Sequence, residues 1–110
     1  MDQISVSDLK NLLEKQPSIC LIDVRETMEF EAYHVPGAGL MPLSSFDGAK
    51  AAEDLSVAGT NQPIYVLCQV GGRAAQACAM LEAAGHPHTV LVSGGTSAWA
   101  EAGFPLAAGQ

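Results

Sequence analysis

Short, nearly continuous apolar stretches alternate along this chain with segments whose apolar side chains recur at helical spacing. The continuous stretches are typical of strands that are buried on both faces of a parallel sheet, and they occupy 19–24, 64–67 and 89–92. The segments with helical spacing are 7–16, 27–33, 50–54, 74–84 and 96–102. This alternation predicts an α/β domain with a central, mainly parallel sheet and helices on both faces.

Residues at the boundaries of these segments support the division. Ser7, Thr27 and Thr96 are predicted to cap the amino-terminal ends of three helices, since their hydroxyls accept hydrogen bonds from unpaired backbone N–H groups. Gly85 is predicted to end the alanine-rich helix that precedes it. The segment 39–62 has a weak pattern, from which only a helical turn or two over 50–54 is predicted.

Size and composition predict one globular domain over residues 1–110. The chain has 110 residues, of which 48% are hydrophobic and 15% are charged, enough apolar side chains for a core without metal or disulfide support. No apolar stretch approaches the length of about 20 residues that spans a bilayer, so we expect no membrane contact.

The charge balance narrows the possible partners. A net charge of −7 argues against nucleic acids and anionic membranes as partners. The chain has only five cationic side chains, so a site for an anionic substrate must supply its own local positive potential.

Cysteine usage indicates a reducing compartment. Cys20, Cys68 and Cys78 are odd in number and widely spaced, which is unlike a disulfide framework. The first residues carry no pattern of a secretory signal. We therefore expect a cytoplasmic location, and we expect Cys20 and Cys78 to be inert core residues.

Cys68 lies in the segment with the clearest potential for chemistry. It follows a predicted strand, at the edge where open α/β sheets place their ligand crevices. The loop after it contains Gly71 and Gly72 and runs into the start of a helix, where N–H groups and the helix dipole favour an anion. The segment therefore predicts a reactive cysteine thiolate in a cradle of backbone amides.

The length of this loop distinguishes two kinds of chemistry. From Cys68 to Arg73 the spacing is C-x4-R, one residue shorter than the C-x5-R loop of cysteine phosphatases. The shorter loop encloses less space, which suits one additional sulfur atom better than a tetrahedral phosphate. A phosphatase or an arsenate reductase is accordingly a less favoured interpretation.

Four segments in order carry motifs of one known family. They are Leu21-Ile-Asp-Val-Arg25 with Glu29-Phe30, then His34-Val-Pro-Gly-Ala38 with Pro42, then the loop from Cys68 to Arg73, and finally Gly94-Gly95 with Ala98-Trp99 and Gly103-Phe-Pro105. These residues resemble the signatures of the rhodanese family over nearly the whole chain. The chain departs from the family pattern at two places. Tyr33 replaces the usual glycine before His34, and Leu40 or Met41 stands where the family often has an asparagine.

The resemblance implies the family fold and a sulfurtransferase activity with a persulfide intermediate on Cys68. It implies a sulfane donor such as thiosulfate and an acceptor such as cyanide, a small thiol or a sulfur-acceptor protein. The residues implied to form the active loop are Gln69, Val70, Gly71, Gly72 and Arg73. We expect no metal and no cofactor, because the sulfur is carried covalently, and we expect a monomer.

Three charged residues have roles that the sequence leaves open. Arg73 could contact an anionic donor or form a structural ion pair at the loop. Asp23 and Arg25 follow the first predicted strand, and we expect them to support the loops as an ion pair rather than to react. Two alternative functions also stay open: a non-catalytic rhodanese-like binding module, and a redox sensor in which Cys68 becomes a sulfenic acid.

Overall fold

The computed structural model describes residues 1–57 and 60–109, so Ala58, Gly59 and Gln110 of the predicted domain lie outside the described residues. The strands are β1 (Asp2–Ile4), β2 (Cys20–Asp23), β3 (Gly39–Leu40), β4 (Ile64–Leu67) and β5 (Thr89–Val92). The helices are α1 (Val6–Lys15), α2 (Thr27–Ala32), α3 (Gly48–Asp54), α4 (Gly72–Ala83) and α5 (Gly95–Glu101), and a 3₁₀ turn covers Leu43–Ser45.

All five strands form one sheet in the order β1-β5-β4-β2-β3, and every pairing between them is parallel. The strand β4 is central, since Tyr65 lies opposite Leu21 of β2 on one side and Val90 of β5 on the other. The prediction of a mainly parallel sheet is confirmed. Because parallel strands share one carboxyl edge, the loops after β2, β4 and β5 meet there.

Each face of the sheet packs against its own pair of helices. Alternate side chains such as Ile22 and Val66 point to the face covered by α3 and α4, where Leu81 is buried. Their neighbours Leu21 and Leu67 point to the other face, which α1 and α5 cover with residues including Leu9, Val92 and Trp99. The predicted helices on both faces are therefore confirmed.

The helix caps differ from the predicted ones. The α1 cap is Ser5 rather than Ser7, and its hydroxyl accepts a hydrogen bond from the Asp8 N–H at 3.1 Å. The α2 cap is Glu26 rather than Thr27, because the Glu26 carboxylate and Glu29 form a reciprocal capping box.

The predicted cap of the last helix is also wrong by two residues. Gly94 caps α5, and Thr96 is buried inside the first turn instead. Gly85, with φ +94°, follows the end of α4 as predicted. For α1 and α2 the error is local, because Ser5 and Glu26 bond within the first turn in place of the neighbouring hydroxyl residues, whereas Gly94 precedes α5 with no capping side chain.

Two strands have no counterpart in the sequence prediction. The edge strand β1 is Asp-Gln-Ile and largely exposed, so it lacks an apolar run. The other edge strand, β3, has only two residues. Such short edge strands are defined by pairing with a neighbour rather than by composition. Among the described residues, no helix has both the length and the apolar character needed to cross a membrane.

Candidate active site

Cys68 lies directly after β4 at the carboxyl edge of the sheet, where the sequence places it. The residue is 1% exposed, so its sulfur faces the inside of the loop rather than bulk solvent. The Gly71 N–H donates a hydrogen bond to Cys68 Sγ at 2.9 Å. Gly71 has φ +129°, which glycine tolerates, and it is the cap residue from which α4 starts.

The first turn of α5 forms the wall behind this loop. The Thr96 N–H donates to the carbonyl of Cys68 at 2.9 Å, and the Ser97 N–H donates to the carbonyl of Gln69 at 3.0 Å. Gly95 leaves no room for a side chain here, because a Cβ atom would lie 2.7 Å from the Gln69 carbonyl oxygen. The loop carbonyls are thus held by α5 while the Gly71 amide faces the sulfur.

The Gln69 side chain joins three parts of the chain. Its Nε2 donates to Ser97 Oγ at 2.9 Å and to Tyr33 Oη at 3.4 Å. Its Oε1 accepts from Arg25 Nη1 at 3.5 Å. The second residue of the loop is therefore held by its side chain, whereas the next residue, Val70, is 68% exposed.

Asp23 and Arg25 form a buried ion pair next to the loop. Arg25 Nη2 lies 2.9 Å from Asp23 Oδ2, and the two side chains are 1% and 0% exposed. The Asp23 carboxylate also accepts from the Arg25 backbone N–H, and Arg25 Nη2 donates to the Tyr33 carbonyl at 2.7 Å. The pair thus connects the end of β2 to Tyr33 and Gln69, and neither side chain is open to a substrate.

Arg73 forms a second ion pair, with Glu29 of α2. Its two terminal nitrogens donate to the two carboxylate oxygens at 2.6 Å and 2.9 Å. The hydrogen bond from Arg73 is the main cause that lowers the pKa of Glu29 to about 2, and the same bond raises the pKa of Arg73. Of the two roles that the sequence leaves open for Arg73, this structure shows the ion pair.

Three residues around the loop could not be identified from the sequence as partners in the site. Glu29 belongs to a recognised motif, but nothing in the pattern links it to Arg73. Tyr33 departs from the family pattern, and this departure was the only sign in the sequence that the position contributes to the site. Ser97 carried no signal at all, because its contact depends on how α5 packs on the loop.

The other cysteines lie outside the loop. Cys78 is buried within α4 and Cys20 is half-buried in β2, and both are free thiols. Burial raises the pKa of both thiols, which disfavours their thiolate forms. His34 is also buried, and its ring stacks on Phe30 at 3.7 Å.

A parallel α/β sheet with a cysteine loop between its central strand and the amino terminus of the following helix defines a class of α/β domains with a cysteine at the carboxyl edge of the sheet. Within that class, the chain belongs to the rhodanese-like domain family, whose profile matches residues 5–102.

Relatives extend this assignment. The chain is 32% identical to the probable adenylyltransferase/sulfurtransferase MoeZ of Mycobacterium tuberculosis, over 89% of this chain and 24% of that protein. It is 30% identical to the putative sulfur carrier protein YrkF of Bacillus subtilis, over 88% of this chain and 50% of that protein. The chain therefore spans half or less of the length of these relatives, whose names include sulfur transfer and sulfur carriage.

Solved structures show the same fold. The rhodanese-like domain of an Anabaena protein superimposes with a TM-score of 0.82 at 27% identity, covering 98% of this chain and 80% of that one. A thiosulfate sulfurtransferase from Pseudomonas aeruginosa superimposes with a TM-score of 0.80 at 25% identity, covering 100% of this chain and 21% of that one.

Proposed function

We propose that this domain is a sulfurtransferase that carries a sulfur atom as a persulfide on Cys68. The observation that carries the proposal is the hydrogen bond from the Gly71 N–H to Cys68 Sγ, at the amino terminus of α4. Backbone N–H groups in that position stabilise negative charge on sulfur and do not themselves change their protonation state. The sulfurtransferase and sulfur carrier names of the relatives support the same activity.

In the first half-reaction the Cys68 thiolate attacks the outer sulfur of a sulfane donor. With thiosulfate, the bond between the two donor sulfurs breaks, sulfite leaves with the electron pair, and a Cys68 persulfide remains. The new terminal sulfur carries the negative charge. The Gly71 N–H, which donates to Cys68 Sγ, places one backbone donor beside the sulfur that bonds to this outer atom.

In the second half-reaction an acceptor nucleophile attacks the outer sulfur of the persulfide. The sulfur–sulfur bond breaks, the acceptor keeps the outer sulfur, and the Cys68 thiolate is restored. Cyanide, a small thiol or the thiol of a sulfur-acceptor protein can serve as this nucleophile. Two separate steps through a covalent intermediate predict ping-pong kinetics.

The ion pair of Arg73 favours sulfur transfer over phosphate chemistry. A phosphatase loop needs its arginine to hold the phosphate oxygens, whereas here Glu29 accepts one hydrogen bond from each terminal nitrogen of Arg73 and neutralises its charge. The proposal also does not depend on Cys20 or Cys78, since both lie outside the loop.

The mass of the intact protein tests this proposal. After incubation with thiosulfate or with a small-molecule persulfide, the wild type is expected to gain one sulfur atom, about 32 Da, on a nucleophilic cysteine. Cyanide should remove the adduct and release thiocyanate. Cys68→Ser should gain nothing, whereas Cys78→Ser, which leaves the loop intact, should gain sulfur like the wild type.

A folded wild-type protein with a free Cys68 thiol that gains sulfur from neither donor would refute the sulfurtransferase proposal. The binding-module and redox-sensor interpretations would then explain the loop better, and oxidation of Cys68 to a sulfenic acid by peroxide would distinguish them.

A further inference from the structure

Tyr33 contacts two groups at the carboxyl edge of the sheet at once. It directly follows α2 and is half-buried. Its carbonyl accepts a hydrogen bond from Arg25 Nη2 at 2.7 Å, and its ring centroid lies 5.4 Å from the guanidinium carbon of the same arginine. Its hydroxyl accepts a hydrogen bond from Gln69 Nε2 at 3.4 Å. Tyr33 therefore joins the buried ion pair after β2 to the cysteine loop after β4.

The nitrogen and the oxygen of the Gln69 carboxamide both have partners within the chain. Its Nε2 donates to Ser97 Oγ at 2.9 Å and to Tyr33 Oη, and its Oε1 accepts from Arg25 Nη1 at 3.5 Å. Arginine can only donate, so it binds the carboxamide oxygen and leaves the two N–H groups to Ser97 and Tyr33. The hydroxyl of Tyr33 thus completes a set of three partners that fixes the orientation of this side chain.

The contacts of Gln69 continue to Cys68. Ser97, which accepts from the Gln69 side chain, also donates its N–H to the Gln69 carbonyl at 3.0 Å, so Gln69 is attached to α5 at two points. The neighbouring N–H of Thr96 donates to the carbonyl of Cys68 itself at 2.9 Å. The peptide group between Cys68 and Gln69 is therefore restricted from both sides.

We propose that Tyr33 is a positioning residue for Cys68, which acts by fixing the Gln69 side chain and with it the start of the active loop. The inference rests on the proposed persulfide cycle, in which the Cys68 thiolate attacks the outer sulfur of thiosulfate and sulfite leaves with the electron pair. Such a step is fast only when the attacking atom is held in line with the bond that breaks. Because the family usually has glycine at the position of Tyr33, this role is a property of this chain and of its glutamine at position 69.

The substitution Tyr33→Phe tests this role, because it removes the hydroxyl and keeps the ring beside Arg25. In a single turnover with saturating thiosulfate, followed by intact mass after rapid quenching, the rate constant of persulfide formation is expected to fall about threefold, the size of one weak hydrogen bond. The thiosulfate concentration at half-saturation should stay within about twofold, since Tyr33 acts on the nucleophile rather than on the donor. A small-molecule persulfide should show the same decrease in rate constant as thiosulfate.

Tyr65→Phe is the matched control, since it removes the hydroxyl of the only other tyrosine, which lies within β4. It should leave the rate constant of persulfide formation unchanged. Thermal denaturation of both variants should resemble that of the wild type, so that a slower reaction cannot be attributed to loss of folded protein.

A double-variant cycle separates positioning from a general structural effect. Gln69→Met removes the carboxamide that Tyr33 holds, and it should itself slow persulfide formation. Adding Tyr33→Phe to Gln69→Met should cause no further decrease, because the hydroxyl then has no side chain to position.

Three results would overturn the role of Tyr33. They are a Tyr33→Phe variant as fast as the wild type, a decrease that persists in the Gln69→Met background, and a change confined to the half-saturation concentration. A wild type that gains sulfur from neither thiosulfate nor the persulfide would refute the persulfide cycle as well, and this result is distinguished from the other three because no variant is needed to obtain it.

Discussion

At the scale of single residues, the structure contains ion pairs in two very different environments. Asp23 and Arg25 are 0% and 1% exposed, so each charge depends on the other for compensation. Lys10 and Glu14 form a pair on the surface of α1, where water compensates either charge when its partner is removed. The buried pair is expensive to break, whereas the exposed pair contributes little to stability.

Replacement of Asp23 by asparagine is therefore expected to lower the free energy of unfolding by about 3–5 kcal/mol, because Arg25 would remain charged in a buried site. Glu14→Gln, the control on the exposed pair, is expected to change it by less than about 0.5 kcal/mol. Urea denaturation followed by circular dichroism measures both values. Equal changes in the free energy of unfolding for the two substitutions would show that the buried pair stabilises the fold no more than the exposed pair does.

The sequence identifies the residues of this site better than it identifies their partners. Cys68, Arg73, Asp23 and Arg25 were recognisable because each lies at a strand end or in a motif. Glu29 could not be assigned to Arg73, since the two lie 44 positions apart and meet only when α2 and the loop pack together. Side-chain pairing over such separations is a property of the folded chain.

At the scale of secondary structure elements, the contact between α5 and the active loop requires a glycine. Gly95 has φ +58°, and a side chain at this position would overlap the carbonyl groups of Cys68 and Gln69. Gly37 also has a positive φ, +93°, but a Cβ atom there would meet nothing within 4 Å. A side chain at Gly37 would therefore meet only backbone strain, whereas one at Gly95 would meet both strain and steric overlap.

Gly95→Ala is expected to lower the free energy of unfolding by about 2–4 kcal/mol, from strain and overlap together. Gly37→Ala should cost about 1–2 kcal/mol, from backbone strain alone. Gly95→Ala should also slow persulfide formation, because α5 must move away from the loop, while Gly37→Ala should leave the rate unchanged. Thermal denaturation and the donor assay measure the two effects, and a slower rate in Gly37→Ala would contradict this division.

Elements with a strong internal pattern were predictable, and elements defined by their neighbours were not. The strands β2, β4 and β5 and the helix α4 are apolar enough to be read directly from the sequence. The edge strands β1 and β3 were missed because their hydrogen bonds to β5 and β2, rather than their composition, make them strands. The caps of α1 and α2 were missed for a different reason, since two neighbouring residues could each cap and the pattern did not show that Ser5 and Glu26 do so.

At the scale of the whole molecule, the Arg73–Glu29 pair links stability to pH. The pKa of Glu29 falls from 4.5 to about 2 on pairing, so the folded state binds its proton less readily than the unfolded chain. The pair therefore stabilises the fold fully above pH 4.5, and this contribution is lost as the pH falls toward 2.

The difference in unfolding free energy between wild type and Glu29→Gln should accordingly be present at neutral pH and should diminish between pH 4.5 and about 2. Denaturant titrations at a series of pH values measure it. The difference should be modest even at neutral pH, because both side chains are about one-third exposed and solvent screens the pair. A difference that grows toward acid would show that another group controls the acid sensitivity.

The order of the strands in the sheet affects when the residues of the cysteine loop can meet their partners during synthesis. The central strand β4 pairs with β2, made early in synthesis, and with β5, made late, so its two neighbours come from distant parts of the chain. Non-local pairing of this kind makes folding slow, because large loops must close before contacts form. A chain growing on the ribosome contains Cys68 well before it contains Thr96 and Ser97, whose amides hold the loop. The hydrogen bonds that hold the carbonyls of Cys68 and Gln69 can therefore form only after Thr96 and Ser97 have been made, and their presence marks a molecule in which α5 is already in place.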